Sequence, residues 1–164
     1  GSIPAPAIKT MFLTTHAAVG AIVGEATGNP ILAILGGFIS HFLIDIIPHG
    51  DSHMLENYKS RRRVRTAVAY VTIDAIVAML FALLLFNFRD FMHPMNVSLG
   101  IAFGVLPDAL IGLFETRRFP WLRNFYRVHF FFHNLIINRK RDFSFRAGFD
   151  MQLILIALLQ ISVF

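Results

Sequence analysis

Cysteine is absent from the 164-residue chain. That excludes disulfides, thiolate metal sites and a cysteine nucleophile. Charge is also scarce: charged side chains make up 15% of the residues, where an ordinary soluble domain carries about 25%. A soluble monomer with so few charges could hardly cover itself with polar groups. What fills the sequence instead is apolar, at 55% of residues and with 18 phenylalanines. The length allows one domain, and the composition favours an integral membrane protein.

Apolar segments of membrane type run from Met11 to Gly24, Ile31 to Ile47, Thr66 to Phe88, Val97 to Phe114 and Met151 to Phe164. The Thr66–Phe88 segment is long enough to cross a hydrocarbon core of about 30 Å, and the others are shorter or interrupted by polar residues. A further stretch, Phe125–Asn138, has about 14 residues and suits an interfacial or re-entrant helix better than a span. Basic clusters lie at Lys59–Arg65, at Arg117, Arg118, Arg123 and Arg127, and at Arg139–Arg146. The positive-inside rule puts all three on the cytoplasmic side if the first four segments cross and Phe125–Asn138 does not. The expected fold is all-α, a polytopic bundle of about five spanning helices plus one short interfacial or re-entrant helix, in the inner membrane. Gly1-Ser2 has the look of a cloning scar. Residues 1–10 therefore read as tag, linker or disordered N-terminus, and 11–164 as a single membrane-embedded domain.

A weak internal repeat runs through the first four segments. Gly37-Phe-Ile-Ser-His41 parallels Gly104-Val-Leu-Pro-Asp108, and Thr15-His16-Ala-Ala-Val parallels Ile73-Asp74-Ala-Ile-Val. Two hairpins in sequence share one orientation, as a parallel pseudo-repeat would. The basic clusters lack the interleaved aromatic motif of a nucleic-acid binder, so no nucleic acid is expected. Besides setting topology, they can attract a phosphate-bearing lipid head group, with Arg61, Arg62 and Arg63 as candidate substrate-binding residues.

Ionisable residues within apolar segments are costly and point to function. At 1.5 Å per residue from the cytoplasmic ends, His16 lies about 8 Å deep, His41 about 10 Å, Asp74 about 12 Å and Asp108 about 9 Å. Four separately bounded segments thus place a His or Asp in one shallow layer. Asp45 and His49 follow His41 at i+4 and i+8, along one helix face. His129 and His133 are also spaced i, i+4, as in helical two-histidine metal sites. No lysine or arginine lies within the first four segments, so a divalent cation is the economical counter-charge for their aspartates. Candidate ligands are His16, His41, Asp45, Asp108, His129 and His133, for one or two ions. Zinc is the commonest catalytic choice for such donors, with iron or manganese as alternatives. Asp74 would be a further ligand or a carboxylate orienting an imidazole, and His49 the acid–base group. Glu25 and Glu115 read as solvated helix ends. The glycines at 20, 24, 36, 37, 100 and 104 read as close-packing positions.

The segment Gly37-Phe-Ile-Ser-His41-Phe-Leu-Ile-Asp45 resembles the G-x-x-S-H-x-x-x-D segment of the YdjM-type inner-membrane metal-dependent hydrolases. Thr15-His16 is similar to that family's early histidine, Leu106-Pro107-Asp108 to its L-P-D element, and His129 with His133 to its paired histidines. The S-H-x-x-x-D helix comes earlier here than in the family. Ala109 and Leu110 stand where the family has further Asp and His. The resemblance implies hydrolysis. With a site in the cytoplasmic leaflet ringed by arginines, a lipid or lipid-linked phosphoester is the favoured substrate. Two alternatives stand beside it: an ion- or proton-coupled transporter or channel, and a structural membrane protein stapled by its metal. Against transport, the outer halves of the segments, such as Met79–Phe88, are nearly all apolar.

Overall fold

The computed structural model describes residues 12–47 and 64–137, together with the helical positions 150, 153, 154 and 157. Its elements are α1 (Leu13–Thr27), α2 (Pro30–Asp45), α3 (Val64–Phe88), α4 (Pro94–Arg117) and α5 (Leu122–Ile137). No strand occurs among the described residues, so the all-α expectation holds.

Local chemistry sets the helix boundaries. Gly28, at φ 58°, takes the left-handed conformation that ends α1. Asn29 then caps α2: its side-chain oxygen accepts from the amides of Ile31 at 2.9 Å and Leu32 at 3.2 Å, with Pro30 at the first helical position. Proline there has no amide to leave unsatisfied. Pro94 opens α4 in the same way. Arg118, also left-handed at φ 54°, closes α4 and donates its amide to Phe114. The chain then reverses through 119–121 into α5. Glu25, expected to be solvated, instead accepts the amides of Met92 and His93 at 2.8 and 3.0 Å and pins the α3–α4 loop to α1.

Among the described residues, two helices are long and apolar enough to cross a membrane: α3, over Val71–Phe88, and α4. Only 11% of the α3 window is buried in the bundle, unlike the core helix of a soluble protein. Ala78 and Leu85, seven residues apart, form its buried seam, while Leu80, Leu83, Leu84 and Phe88 are exposed. The expected five spans are thus not matched. Helices α1 and α2, with 15 and 16 residues, reach only about 23–24 Å. The last segment lies largely outside the described residues.

Glycines bring α1, α2 and α4 together. A Cβ on Gly100 would overlap the Gly20 carbonyl of α1, and one on Gly24 would overlap the Asn96 carbonyl of α4. A Cβ on Gly37 would stand 2.6 Å from the Gly100 oxygen, and one on Gly104 would stand 2.9 Å from the His16 oxygen. Gly20–Gly24 and Gly100–Gly104 are small-xxx-small pairs facing each other, which let backbones touch. Beyond this crossing, toward the α3–α4 loop, Ala21, Leu85 and Val97 form an apolar cluster with Phe81, Phe91 and Ile101 around it. The polar residues collect at the opposite end.

Candidate metal centre

One helical turn from the glycine crossing, the bundle buries an unusual amount of polarity. His16, His41, Asp45 and His129 are each at most 1% exposed, and Asp108 is 9% exposed. Helix α1 contributes His16, α2 contributes His41 and Asp45, α4 contributes Asp108, and α5 contributes His129. The i, i+4 spacing of His41 and Asp45 puts both on the face that Gly37 presses against α4. Helix α5 is seated by aromatic contacts. Phe125 meets Phe38 and Phe42 at ring distances of 6.3 and 6.4 Å, Phe42 meets Phe132 at 5.5 Å, and Tyr126 meets Phe114 at 4.7 Å. His129 is thereby brought to 5.2 Å from the His41 ring.

The Nε2 atoms of the three histidines converge on the two carboxylates. His16 lies 3.2 Å from Asp45 and 3.8 Å from Asp108. His41 lies 3.2 and 3.7 Å from the same two residues, and His129 lies 3.5 and 3.8 Å away. Donor atoms about 2.0–2.2 Å from a tetrahedral ion stand about 3.3–3.6 Å apart, so these separations suit ligands of a shared ion. His41, Asp45, Asp108 and His129 form the compact group that could hold one.

The His41 ring shows why a cation is wanted. Its Nδ1 lies 2.9 Å from the carbonyl oxygen of Gly104. A carbonyl only accepts, so Nδ1 carries the hydrogen, and in a neutral imidazole Nε2 then presents a lone pair. That lone pair faces the Asp45 carboxylate, and neither His41 Nε2 nor either Asp45 oxygen has a hydrogen-bond partner among the described residues. Lone pairs meeting lone pairs in a buried site repel unless a proton or a metal cation lies between them. The backbone contact to His41 is the kind of outer support that fixes a ligating tautomer. At His129, burial lowers the imidazole to about 4 despite the nearby Asp45 carboxylate, which keeps the ring neutral and free to ligate.

Five of the six expected ligands therefore come together: His16, His41, Asp45, Asp108 and His129. The side chain of His133 lies outside the described residues, as do His49, Arg61, Arg62 and Arg63. Asp74, expected as a further ligand or as a carboxylate orienting an imidazole, is not among these clustered donors. Its Oδ2 accepts the Leu13 amide at 3.0 Å, capping a helix whose own N-cap residue, Phe12, offers no side-chain acceptor. Depth along the chain put Asp74 at the right level but could not show that α3 stands behind the α1 terminus. The Ser40 hydroxyl, part of the S-H-x-x-x-D pattern, donates to the Gly37 carbonyl at 2.8 Å within its own helix. Sequence reasoning gave no role to the hydroxyls of Thr14 and Thr15, which are buried with no hydrogen-bond partner among the described residues; only burial reveals them. Comparison with family models, curated proteins and solved structures finds no match to this chain.

Proposed function

We propose that the protein is a membrane-embedded metal-dependent hydrolase of the YdjM type, acting on a lipid or lipid-linked phosphoester at the cytoplasmic leaflet. The observation that carries the reading is the fixed His41 tautomer, whose Nε2 is opposed to the Asp45 carboxylate inside a shell of buried His and Asp. The two carboxylates would offset the charge of a bound divalent ion in a low-dielectric interior. Zinc, iron or manganese suits this imidazole–carboxylate set. A divalent ion there supplies Lewis acidity and activates water for attack on an ester.

The chain's own residues do the rest. All five donors, Asp108 included, are buried. Arg117, Arg118, Arg123 and Arg127, all exposed along the α4–α5 connection, attract an anionic head group to that end of the bundle. Arg61, Arg62 and Arg63 add to this charge in the proposal, and His49, just beyond α2, is the proposed acid–base group. The basic residues at the metal-bearing end support a cytoplasmic orientation in the inner membrane.

A metal staple is the second reading, favoured by the near-complete burial of every donor. One experiment separates the two. The full chain is reconstituted in vesicles of mixed anionic phospholipids, stripped with chelator, reloaded with zinc or manganese, and assayed by mass spectrometry for cleaved lipid. Cleavage that returns with metal and fails in Asp108→Asn supports the hydrolase. Metal-dependent thermal stability with no cleavage of any phospholipid class refutes it in favour of the staple.

A further inference from the structure

The four carboxylate oxygens are shared among the imidazoles in an ordered way. Asp45 Oδ2 lies 3.2 Å from His41 Nε2 and 3.5 Å from His129 Nε2. Asp108 Oδ1 serves the same two rings, at 3.7 and 3.8 Å. The remaining oxygen of each residue faces the third histidine: Asp45 Oδ1 lies 3.2 Å, and Asp108 Oδ2 3.8 Å, from His16 Nε2. His16 is correspondingly not a member of the compact four-residue group, although its ring stacks on His41 with centroids 4.1 Å apart.

Ligands of a single ion bring their donor atoms into one close shell. Here each carboxylate turns one oxygen to the His41–His129 shell and the other to His16. A carboxylate that presents its two oxygens to different donor sets is placed as a bridge. Resting on the metal-dependent reading above, we infer that the centre holds two divalent ions bridged by Asp45 and Asp108, one with His41 and His129, the other with His16. The first shell has four protein donors and is filled for a tetrahedral ion. The second has three, the number that leaves a position for water or a substrate oxygen. The inference therefore assigns the open, reactive side to His16 and the closed, structural side to His41 and His129. Two divalent ions exceed the charge of the two carboxylates by two, so the open position would take an anion, hydroxide or an anionic substrate oxygen.

The test uses the full chain in detergent, loaded with manganese and separated from free ion by gel filtration. Carboxylate-bridged ions in hydrolytic centres stand about 3.5–4 Å apart, close enough for exchange coupling between manganese ions. The wild type is expected to retain two equivalents and to show a coupled resonance spectrum, with hyperfine lines at half the mononuclear spacing. His16→Ala is expected to retain one equivalent with an uncoupled six-line spectrum. One equivalent with the uncoupled spectrum in the wild type would overturn the two-ion centre while leaving the metal site standing. Two coupled equivalents in His16→Ala would overturn the assignment of His16. No retained manganese, with none of zinc or iron either, would overturn the metal reading itself. Should His16→Ala fail to fold, the wild-type stoichiometry and spectrum decide the question alone.

Discussion

Replacing Gly37 by alanine tests whether the glycine crossing holds the metal centre in register. The new Cβ would stand 2.6 Å from the Gly100 carbonyl oxygen, where ordinary contact begins at 3.4 Å. The obstacle is backbone, so no side chain can swing aside. Helices α2 and α4 would have to part by about 0.8 Å, and overpacking of that kind costs about 1–3 kcal/mol. The same displacement reaches the site, because His41 is one turn along α2 and bonds to Gly104 of α4. Ligand constellations tolerate about 0.5 Å of error, so Gly37→Ala is expected to lower both thermal stability and metal affinity. Gly112→Ala, on the same α4, is the internal control: among the described residues, nothing lies within 4 Å of its Cβ. Helix propensity alone should make that change neutral or stabilising by up to about 1 kcal/mol. The pair should then differ by about 1–4 kcal/mol in detergent, followed by helical circular dichroism on heating, with metal content read in parallel. Equal stability of the two variants, or a Gly37→Ala protein with full metal content, would refute the reasoning.

Two further outcomes follow from single side chains. Asp74→Ala should cost about 1–2 kcal/mol through the lost α1 cap, whereas Asp74→Asn keeps an acceptor for the Leu13 amide and should stay near wild type; loss of bound metal in Asp74→Asn would show instead that the carboxylate is a ligand. The His129 imidazole, lowered to about 4 chiefly by burial, should still be neutral at pH 5 in the metal-free chain. Because its folded value lies below the ordinary 6.5, the unfolded chain takes up the proton first. Its contribution to stability is therefore full above about 6.5 and declines as pH falls toward about 4. Ring-carbon NMR, with the resonance identified by its loss in His129→Gln, checks this, and titration near 6.5 would contradict it.

Much of the centre was legible in the chain. His16, His41 and Asp108 share a depth because each lies a similar number of residues from the polar end of its segment, and a helix converts residue count into distance. Asp45 followed from the i, i+4 rule on the same helix, and the His129–His133 spacing pointed to His129. Asp74 shows the limit of that logic. Depth fixes one coordinate, but the direction in which a side chain faces depends on how the helices turn about their axes, and Asp74 faces the α1 terminus. Glu25 was misjudged for a related reason: its partners are amides more than 60 residues away. The span count was over-read as well: α1 and α2, with 15 and 16 residues, are too short to count as spans by length, and among the described residues only α3 and α4 qualify.

The sequence by itself determined that the chain is helical, poor in charge and rich in apolar segments, and that its few buried ionisable groups are His and Asp at one level. These properties are local, set by composition and by the 3.6-residue repeat. Only the tertiary structure decided which helices touch, because the contact rests on Gly20, Gly37 and Gly100 meeting backbone to backbone. It also decided that the Gly104 carbonyl fixes the His41 tautomer and that each carboxylate turns its two oxygens to different histidines. Those are relations between atoms on separate helices, and no spacing along a single chain encodes them.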